Sequence, residues 1–109
     1  MKLLSRADEI LMVSIACLGE DAYSTTLLTE IRKRGGKSLT VGSLWVSLDQ
    51  LSDRGLVRKK SVKPSSGKGG KPRIYYSLSP RGVRMLLRTK QFGESLWTGV
   101  PDLEAYSSK

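Results

Sequence analysis

The hydrophobic pattern of this chain changes its period at Gly55. Within residues 5–54, apolar residues recur every three or four positions in three segments, the spacing that is typical of amphipathic helices. Two short runs follow, 56–62 and 73–78, and the second alternates apolar and polar residues as a half-buried strand does. A loop rich in Gly, Ser, Pro and Lys separates the two runs. The sequence therefore predicts three helices followed by two antiparallel strands.

The ends of the predicted helices carry residues that start and stop helices. Ser5 and Thr40 are candidate N-caps of the first and third helices, and Ser24 or a neighbouring threonine is the candidate cap of the second. Each of these helices is followed by glycine, as helix C-termini often are. After the strands, Ser79 with Pro80 at the first helical position opens a fourth helix.

Three helices, a two-stranded hairpin and a closing helix, in that order, make the winged helix-turn-helix plan. The predicted fold class is α+β, mostly α, with a two-stranded β-wing and a C-terminal dimerisation helix. We expect the winged-helix domain to cover residues 1–92, with the dimerisation helix from about residue 80. Residues 93–109 are expected to form a short extension in which the helix continues to about residue 97 before a flexible end.

The absence of histidine removes much of enzyme chemistry from consideration. With no imidazole and a single cysteine, Cys17, the chain has no His-based triad, no internal disulfide and no zinc finger. Cys17 is interpreted as a core residue of the first helix. The apolar run 10–18 is too short to span a bilayer and follows two acidic residues. We therefore expect a cytoplasmic protein that is no enzyme, needs no cofactor or metal and does not enter a membrane.

Positive charge is concentrated in one part of the chain. The 19 Lys and Arg residues exceed the 10 Asp and Glu residues, for a net charge of +9. Residues 54–90 hold twelve of the basic residues and no acidic residue, whereas residues 1–53 are nearly balanced. Because like charges in a folded domain repel one another, a polyanionic partner such as a phosphate backbone is expected to bind this segment.

Short strings in most of the predicted elements are typical of one family. They are Leu3-Leu4-Ser5-Arg6, Leu18-Gly19, Ala22-Tyr23, Gly42, Leu48-Asp49-Gln50-Leu51, Gly55-Leu56-Val57, Gly69-Gly70-Lys71-Pro72-Arg73-Ile74-Tyr75-Tyr76 and Leu78-Ser79-Pro80-Arg81-Gly82. Along roughly residues 3–90 the chain resembles the PadR-like transcriptional regulators. The resemblance implies a bacterial or archaeal homodimeric repressor that binds double-stranded DNA, with the third helix in the major groove and the wing on the flanking backbone.

The chain departs from the family's pattern at three positions. Trp45, Ser24 and Ser79 stand where tyrosine, glycine and threonine are usual. The chain ends soon after one C-terminal helix, so it resembles the short subgroup of the family, which has no long separate dimerisation domain.

The third predicted helix, residues 41–54, has an inward and an outward face. The residues expected to face the core are Val41, Leu44, Leu48 and Leu51. The outward arc holds Gly42, Ser43, Val46, Asp49, Gln50 and Asp53. Because Asp49 and Asp53 would be repelled by phosphates, we expect the N-terminal half of the helix to enter the groove. Trp45, at the flank, is expected to pack its apolar face and point its indole N–H outward.

The candidate DNA contacts on and beside this helix then have expected roles. Thr40 lies near a phosphate, and Gly42 allows a close approach to the DNA. Ser43 and Gln50 are candidate readers of base edges, since an amide can pair with adenine through two hydrogen bonds. Val46 can meet a thymine methyl group. The alternative for any one of them is an ordinary solvated position on a helix.

The wing and the last helix supply two further sets of candidates. The expected phosphate contacts of the wing are Lys63, Lys68, Lys71 and Arg73. The last helix has more apolar residues than it needs to cover a domain of this size, which predicts a homodimer interface built from Leu86, Leu87, Phe92, Leu96 and Trp97. Capping of the monomer core is the alternative, and Trp97 is also a candidate to line a pocket for an unidentified small-molecule effector.

Two other kinds of function stay open at this point. One is a basic protein that binds nucleic acid without sequence preference, although the chain lacks the aromatic-rich sheet that stacks single-stranded bases. The other is a winged helix that serves only as a protein interaction module, which would leave the positive charge unexplained. An enzyme is the least supported reading, because no nucleophile, base and orienting group occur together.

Overall fold

The computed structural model describes residues 3–35, 37–63 and 72–107. Its elements are α1 (Arg6–Leu18), a 3-10 turn (Gly19–Asp21), α2 (Ser24–Lys33), α3 (Val41–Asp53), β1 (Val57–Val62), β2 (Arg73–Leu78), α4 (Pro80–Leu96) and α5 (Leu103–Ser107). The predicted winged-helix order is confirmed. The 3-10 turn and the short α5 are additions to it, and α4 continues without a break through Gly93.

Three of the four long helices begin as their sequences predict. Ser5, Thr40 and Ser79 each accept a hydrogen bond on the side-chain oxygen from the backbone N–H three residues later, at 3.0–3.1 Å. Pro80 occupies the first turn of α4, where its missing N–H has no helical partner to lose. Each cap satisfies a donor that the first turn of the helix would otherwise leave unpaired.

The start of α2 differs from the prediction. Tyr23, not Ser24, is the N-cap residue, and Ser24 is already helical. The Thr26 hydroxyl accepts a hydrogen bond from the backbone N–H of Tyr23 at 3.1 Å. Thr26 can reach back in this way because it sits three residues after the cap, the spacing of a capping box.

The core lies between α1, α2, α3 and the base of the wing. It contains Leu4, Leu11, Met12, Ile15, Ala22, Leu27, Ile31, Leu44, Leu48, Leu51, Leu56, Val57 and Tyr76, all of them buried. Two predicted core positions are wrong. Val41 is exposed because it lies in the first turn of α3, and Cys17 is exposed on the outer side of α1, where the Arg34 guanidinium donates to its Sγ at 2.9 Å.

The two strands pair antiparallel, with Val57 opposite Leu78 and Val62 opposite Arg73. The free edge of β2 is also used, since the Tyr76 N–H donates to the Ala22 carbonyl at 2.8 Å. β2 therefore lies between β1 and the segment that leads into α2. This arrangement fixes the wing to the helical part of the domain.

The start of α4 is pressed against the start of β1. The Ser79 N–H donates to the Leu56 carbonyl at 3.0 Å, and the Ser79 hydroxyl donates to the Gly55 carbonyl at 2.6 Å. Gly55 has φ +74°, the left-handed conformation in which glycine is favoured. A Cβ atom on Gly82 would lie 2.0 Å from the Leu56 carbonyl oxygen, so the helix can approach this closely only with glycine at that position.

We expect Gly82→Ala to lower the free energy of unfolding by about 3 kcal/mol or more, because the new methyl group meets backbone that cannot move aside cheaply. The matched control is Gly93→Ala in the same helix, where a Cβ would meet nothing within 4 Å. The control should be about 0.5–1 kcal/mol more stable than the wild type, since alanine is the better helix former. Urea unfolding followed by circular dichroism measures both, and equal stabilities for the two variants would contradict the close-approach argument.

Candidate nucleic-acid interface

The outward arc of α3 is exposed along its whole length. The six residues predicted on or beside it to contact DNA all lie at the surface: Thr40, Gly42, Ser43, Trp45, Val46 and Gln50. Val46 is 58% exposed, which is unusual for a valine in the middle of a helix of a small domain. The opposite arc of α3 holds Leu44, Leu48 and Leu51 in the core, so the helix is anchored on one face and free on the other.

The N-terminal end of α3 has the features of a site that approaches a phosphate closely. The Thr40 hydroxyl accepts from the Ser43 N–H and lies 3.0 Å from the Ser43 hydroxyl. At Gly42 a Cβ would meet nothing nearer than the Thr40 hydroxyl oxygen, at 4.0 Å. The positive end of the helix dipole is therefore unobstructed at this point.

Trp45 is 53% exposed. Val41 precedes it by one helical turn and is exposed as well, so the flank of α3 presents an apolar pair beside the polar outward arc. A half-exposed tryptophan on a helix of this kind can pack its apolar ring edge and still leave surface for a partner.

On the wing, the Arg73 side chain lies against two tyrosines, Tyr23 and Tyr75. Its guanidinium lies 4.2 Å from the centroid of the Tyr23 ring, and Tyr23 meets Tyr75 edge to face at 5.6 Å between centroids. A side-chain hydrogen bond with Tyr75 raises the pKa of Arg73, which stays charged. Sequence reasoning selected Arg73 but missed Tyr23 as its support, because the two residues are far apart along the chain.

The remaining wing candidates divide into two groups. Lys63 follows β1 and is exposed. Lys68 and Lys71 lie outside the described residues.

The basic segment contains no acidic residue, but folding brings acidic side chains from other elements into contact with it. Arg54 donates to the Asp8 carboxylate of α1 at 3.3 Å, and the Lys59 ammonium of β1 donates to the Asp49 carboxylate of α3. Both acids come from outside residues 54–90. Folding therefore neutralises some of the segment's charges, at Arg54 and Lys59, while Lys63 and Arg73 are paired with no carboxylate among the ion pairs of the described residues.

Toward its C-terminal end α4 exposes large apolar side chains on more than one side of the helix. Leu87, Phe92, Leu96 and Trp97 are all at least half exposed, whereas Leu86 packs at the edge of the domain's own core. Phe92 and Leu96 continue the stripe of α4 that packs inward at Met85 and Thr89, because these residues are spaced three, four and seven apart. A groove of about 610 Å³ runs between this stripe and the N-terminal segment at Leu3.

The chain is more elongated than a compact domain of its length. The radius of gyration is 17.0 Å, whereas about 13 Å is expected for a compact domain of this length. The longest dimension is 63 Å against 30 and 20 Å for the others. Phe92 and Leu96 face the groove beside the N-terminal segment, and this chain leaves them half exposed or more.

Two further searches bear on other kinds of site. Within the three described ranges, no group of three Cys, Asp or Glu side chains lies close enough to hold a metal ion. None of the helices that the structure describes combines the length and the hydropathy needed to cross a bilayer.

Comparison with known proteins finds similarity at the level of structure. No family model matches the sequence, and no curated protein is significantly similar to it. A PadR-like transcriptional regulator from Bacillus cereus superposes with a TM-score of 0.64 at 26% identity, over 86% of this chain and 85% of its own. The chain has the fold of the PadR-like regulators.

Two other solved structures agree with this assignment. A PadR family transcription regulator from Clostridium difficile R20291 has a TM-score of 0.64 and 25% identity, over 83% of this chain and 93% of its own. A PadR-like transcription factor from Bacteroides fragilis has a TM-score of 0.67 and 21% identity, over 82% and 81%. The resemblance to the PadR-like family that the sequence motifs indicate is confirmed.

We expect Tyr23→Leu to lower the free energy of unfolding by about 1–2 kcal/mol, because it removes the ring that faces both Arg73 and Tyr75. The control is Tyr23→Phe, which keeps the ring and its two contacts and should stay close to the wild type. Thermal unfolding of the three proteins at matched concentration makes the comparison. Equal stabilities of the Tyr23→Leu and Tyr23→Phe proteins would show that the aromatic ring at this position does not stabilise the wing.

Proposed function

We propose that this protein is a sequence-specific regulator of transcription that binds double-stranded DNA as a homodimer and acts as a repressor. The observation that carries the proposal is the free outward arc of α3 beside the basic wing, in a PadR-like fold. The arc leaves small, polar and branched side chains exposed on a helix whose other face is fixed in the core. A recognition helix needs one face that is packed rigidly in the core and another that is exposed to the DNA.

The charges of α3 favour one orientation in the major groove. Asp49 and Asp53 lie on the C-terminal half of the outward arc, and close approach of these carboxylates to phosphates would be repulsive. The N-terminal half carries no acidic residue in its first turn and has the positive end of the helix dipole. In this orientation Ser43, Val46 and Gln50 face the base edges, and Thr40 and Gly42 lie against the backbone.

The wing is proposed to hold the backbone that flanks the groove. Lys63 and Arg73 stand at the tip-side ends of the two strands, where the pair Val62–Arg73 closes the described ladder. Lys68 and Lys71 lie between them in the sequence. Contacts of this type add affinity for any DNA sequence and position the recognition helix, so base discrimination is left to α3.

Dimerisation is proposed through the second half of α4. Phe92 and Leu96 extend a core-facing stripe beyond the domain, and a second copy related by a two-fold axis would cover both stripes at once. The domain would then comprise residues 1–92, with the dimerisation helix from about residue 80. A two-fold dimer predicts a pseudo-palindromic site with half-sites roughly one helical turn, about 34 Å, apart.

The test of the function is discrimination between DNA sequences. A duplex selected by the protein from a random pool, and a shuffled duplex of the same composition, are titrated by fluorescence anisotropy at two salt concentrations. We expect an affinity gap of about 10³-fold or more that persists at the higher salt concentration. Equal and steeply salt-dependent binding to both duplexes would favour a nucleic-acid-binding protein without sequence preference, and no binding would favour an interaction module.

Replacing Lys68, Lys71 and Arg73 together by alanine should weaken binding to the selected and shuffled duplexes by the same factor. If each subunit neutralises about four phosphates, the slope of log affinity against log salt is roughly −7 for the dimer and should fall to about −2 in the triple variant. Anisotropy titrations over a range of salt concentrations give the slopes. An unchanged slope would contradict phosphate contact by the wing.

Leu96→Arg should convert the dimer to a monomer at micromolar concentration, because it places a charge in the apolar stripe of α4. Ser95→Arg is the matched control, since Ser95 is exposed on the same helix and lies to one side of that stripe. Sedimentation velocity measures the oligomeric state of the wild type and of both variants. A monomeric wild type would support the alternative in which these residues only cap the monomer core.

A further inference from the structure

The ion pair between Asp49 and Lys59 joins the recognition helix to the wing. Asp49 lies on the outward arc of α3, and its side chain is 60% exposed. Lys59 lies on β1, opposite Tyr76 in the strand register, and Tyr76 is buried. The Lys59 backbone is thus held in place by its pairing with a buried residue. The Lys59 ammonium donates a hydrogen bond to the Asp49 carboxylate.

The pair changes the charge that this surface presents to DNA in two ways. Lys59 belongs to the basic segment, but its charge is offset by Asp49, and the hydrogen bond with Asp49 is the main cause of the raised pKa of Lys59. Asp49 and Asp53, one turn later, also make the C-terminal half of the outward arc acidic. A phosphate that approached this half would meet two carboxylates and a lysine that is already engaged.

Non-specific and specific complexes respond differently to such an arrangement. A non-specific complex can take any docking pose that brings cations to phosphates, because no base contact fixes its register. A specific complex has one pose, in which the N-terminal half of α3 enters the groove. A carboxylate at Asp49 therefore penalises alternative poses more than it penalises the specific one.

We propose that Asp49 is a specificity-determining residue of this surface: by holding Lys59 and keeping its own charge beside the groove, it excludes poses in which the C-terminal half of α3 lies on the phosphate backbone. This inference rests on the proposed function. It assigns discrimination to a residue that contacts no base in the specific pose. Like-charge repulsion against the wrong arrangement is an established source of selectivity at interfaces.

The test uses Asp49→Asn, which removes the charge with little change in shape. We expect its affinity for the shuffled duplex to rise about threefold to tenfold and its affinity for the selected duplex to rise less, so that their ratio falls. The slope of log affinity against log salt should steepen by about 1 per subunit for the shuffled duplex, as the released Lys59 reaches a phosphate. Adding Lys59→Gln to Asp49→Asn should cancel that steepening.

Asp53→Asn is the matched control, because it removes the same charge from the same arc but not the partner of Lys59. We expect it to raise the affinities by about twofold at most and to lower their ratio less than Asp49→Asn does, because it releases no lysine. An Asp49→Asn protein with an unchanged affinity ratio, or an Asp53→Asn protein with the same fall in the ratio, would overturn the inference alone. A wild type that does not distinguish the two duplexes would overturn the proposed function and this inference with it.

Discussion

The close contact between α4 and the backbone at Leu56 is the constraint on which the rest of the structure depends. Gly82 lets the helix touch the Leu56 carbonyl, and Ser79 bonds to the two carbonyls at the end of the preceding turn. One short junction thereby fixes the end of α3, the start of β1 and the direction of α4. A few atoms of backbone thus orient α3, the wing and α4 relative to one another.

Charge in this domain is arranged by the fold and not by the sequence alone. Residues 54–90 contain no acid, yet Asp8 and Asp49 reach them from α1 and α3. The first pair fastens the end of α3 to the first helix, and the second ties α3 to the wing. Partly exposed ion pairs of this kind contribute little stability, about 0–1 kcal/mol each, so their effect on the electrostatic field around the proposed DNA-binding surface is the more important one.

Much of the fold follows from local sequence. The 3.6-residue period predicted the inward residues of α3, the alternation at 73–78 predicted β2, and Ser5, Thr40 and Ser79 were recognised as caps because capping is decided within four residues. The errors have local causes too. Val41 has the right period but lies in an exposed first turn, Cys17 lies at the end of a helix that is buried on fewer sides than its composition indicates, and Tyr23 displaces Ser24 as a cap.

The contacts that build the candidate site were not predictable in the same way. The outward arc of α3 could be read from its period, but Tyr23 with Arg73, and Asp49 with Lys59, meet only through tertiary packing. Neither pair leaves a periodic signal, since the spacing between partners depends on how the wing folds back on the helices. Side chains that support other side chains are therefore the part of the interface that a single sequence reveals least.

The hydrogen bond from Tyr76 to Ala22 has a consequence for solubility. It occupies the outer edge of β2, so in the described sheet the open edge belongs to β1, whose Arg58, Lys59 and Lys60 carry positive charge. An open strand edge invites pairing with another copy, and closely spaced cations oppose it. Positive charge on this strand thus opposes the pairing of two copies edge to edge, so replacing these three residues by neutral ones would expose the domain to aggregation as well as change its charge.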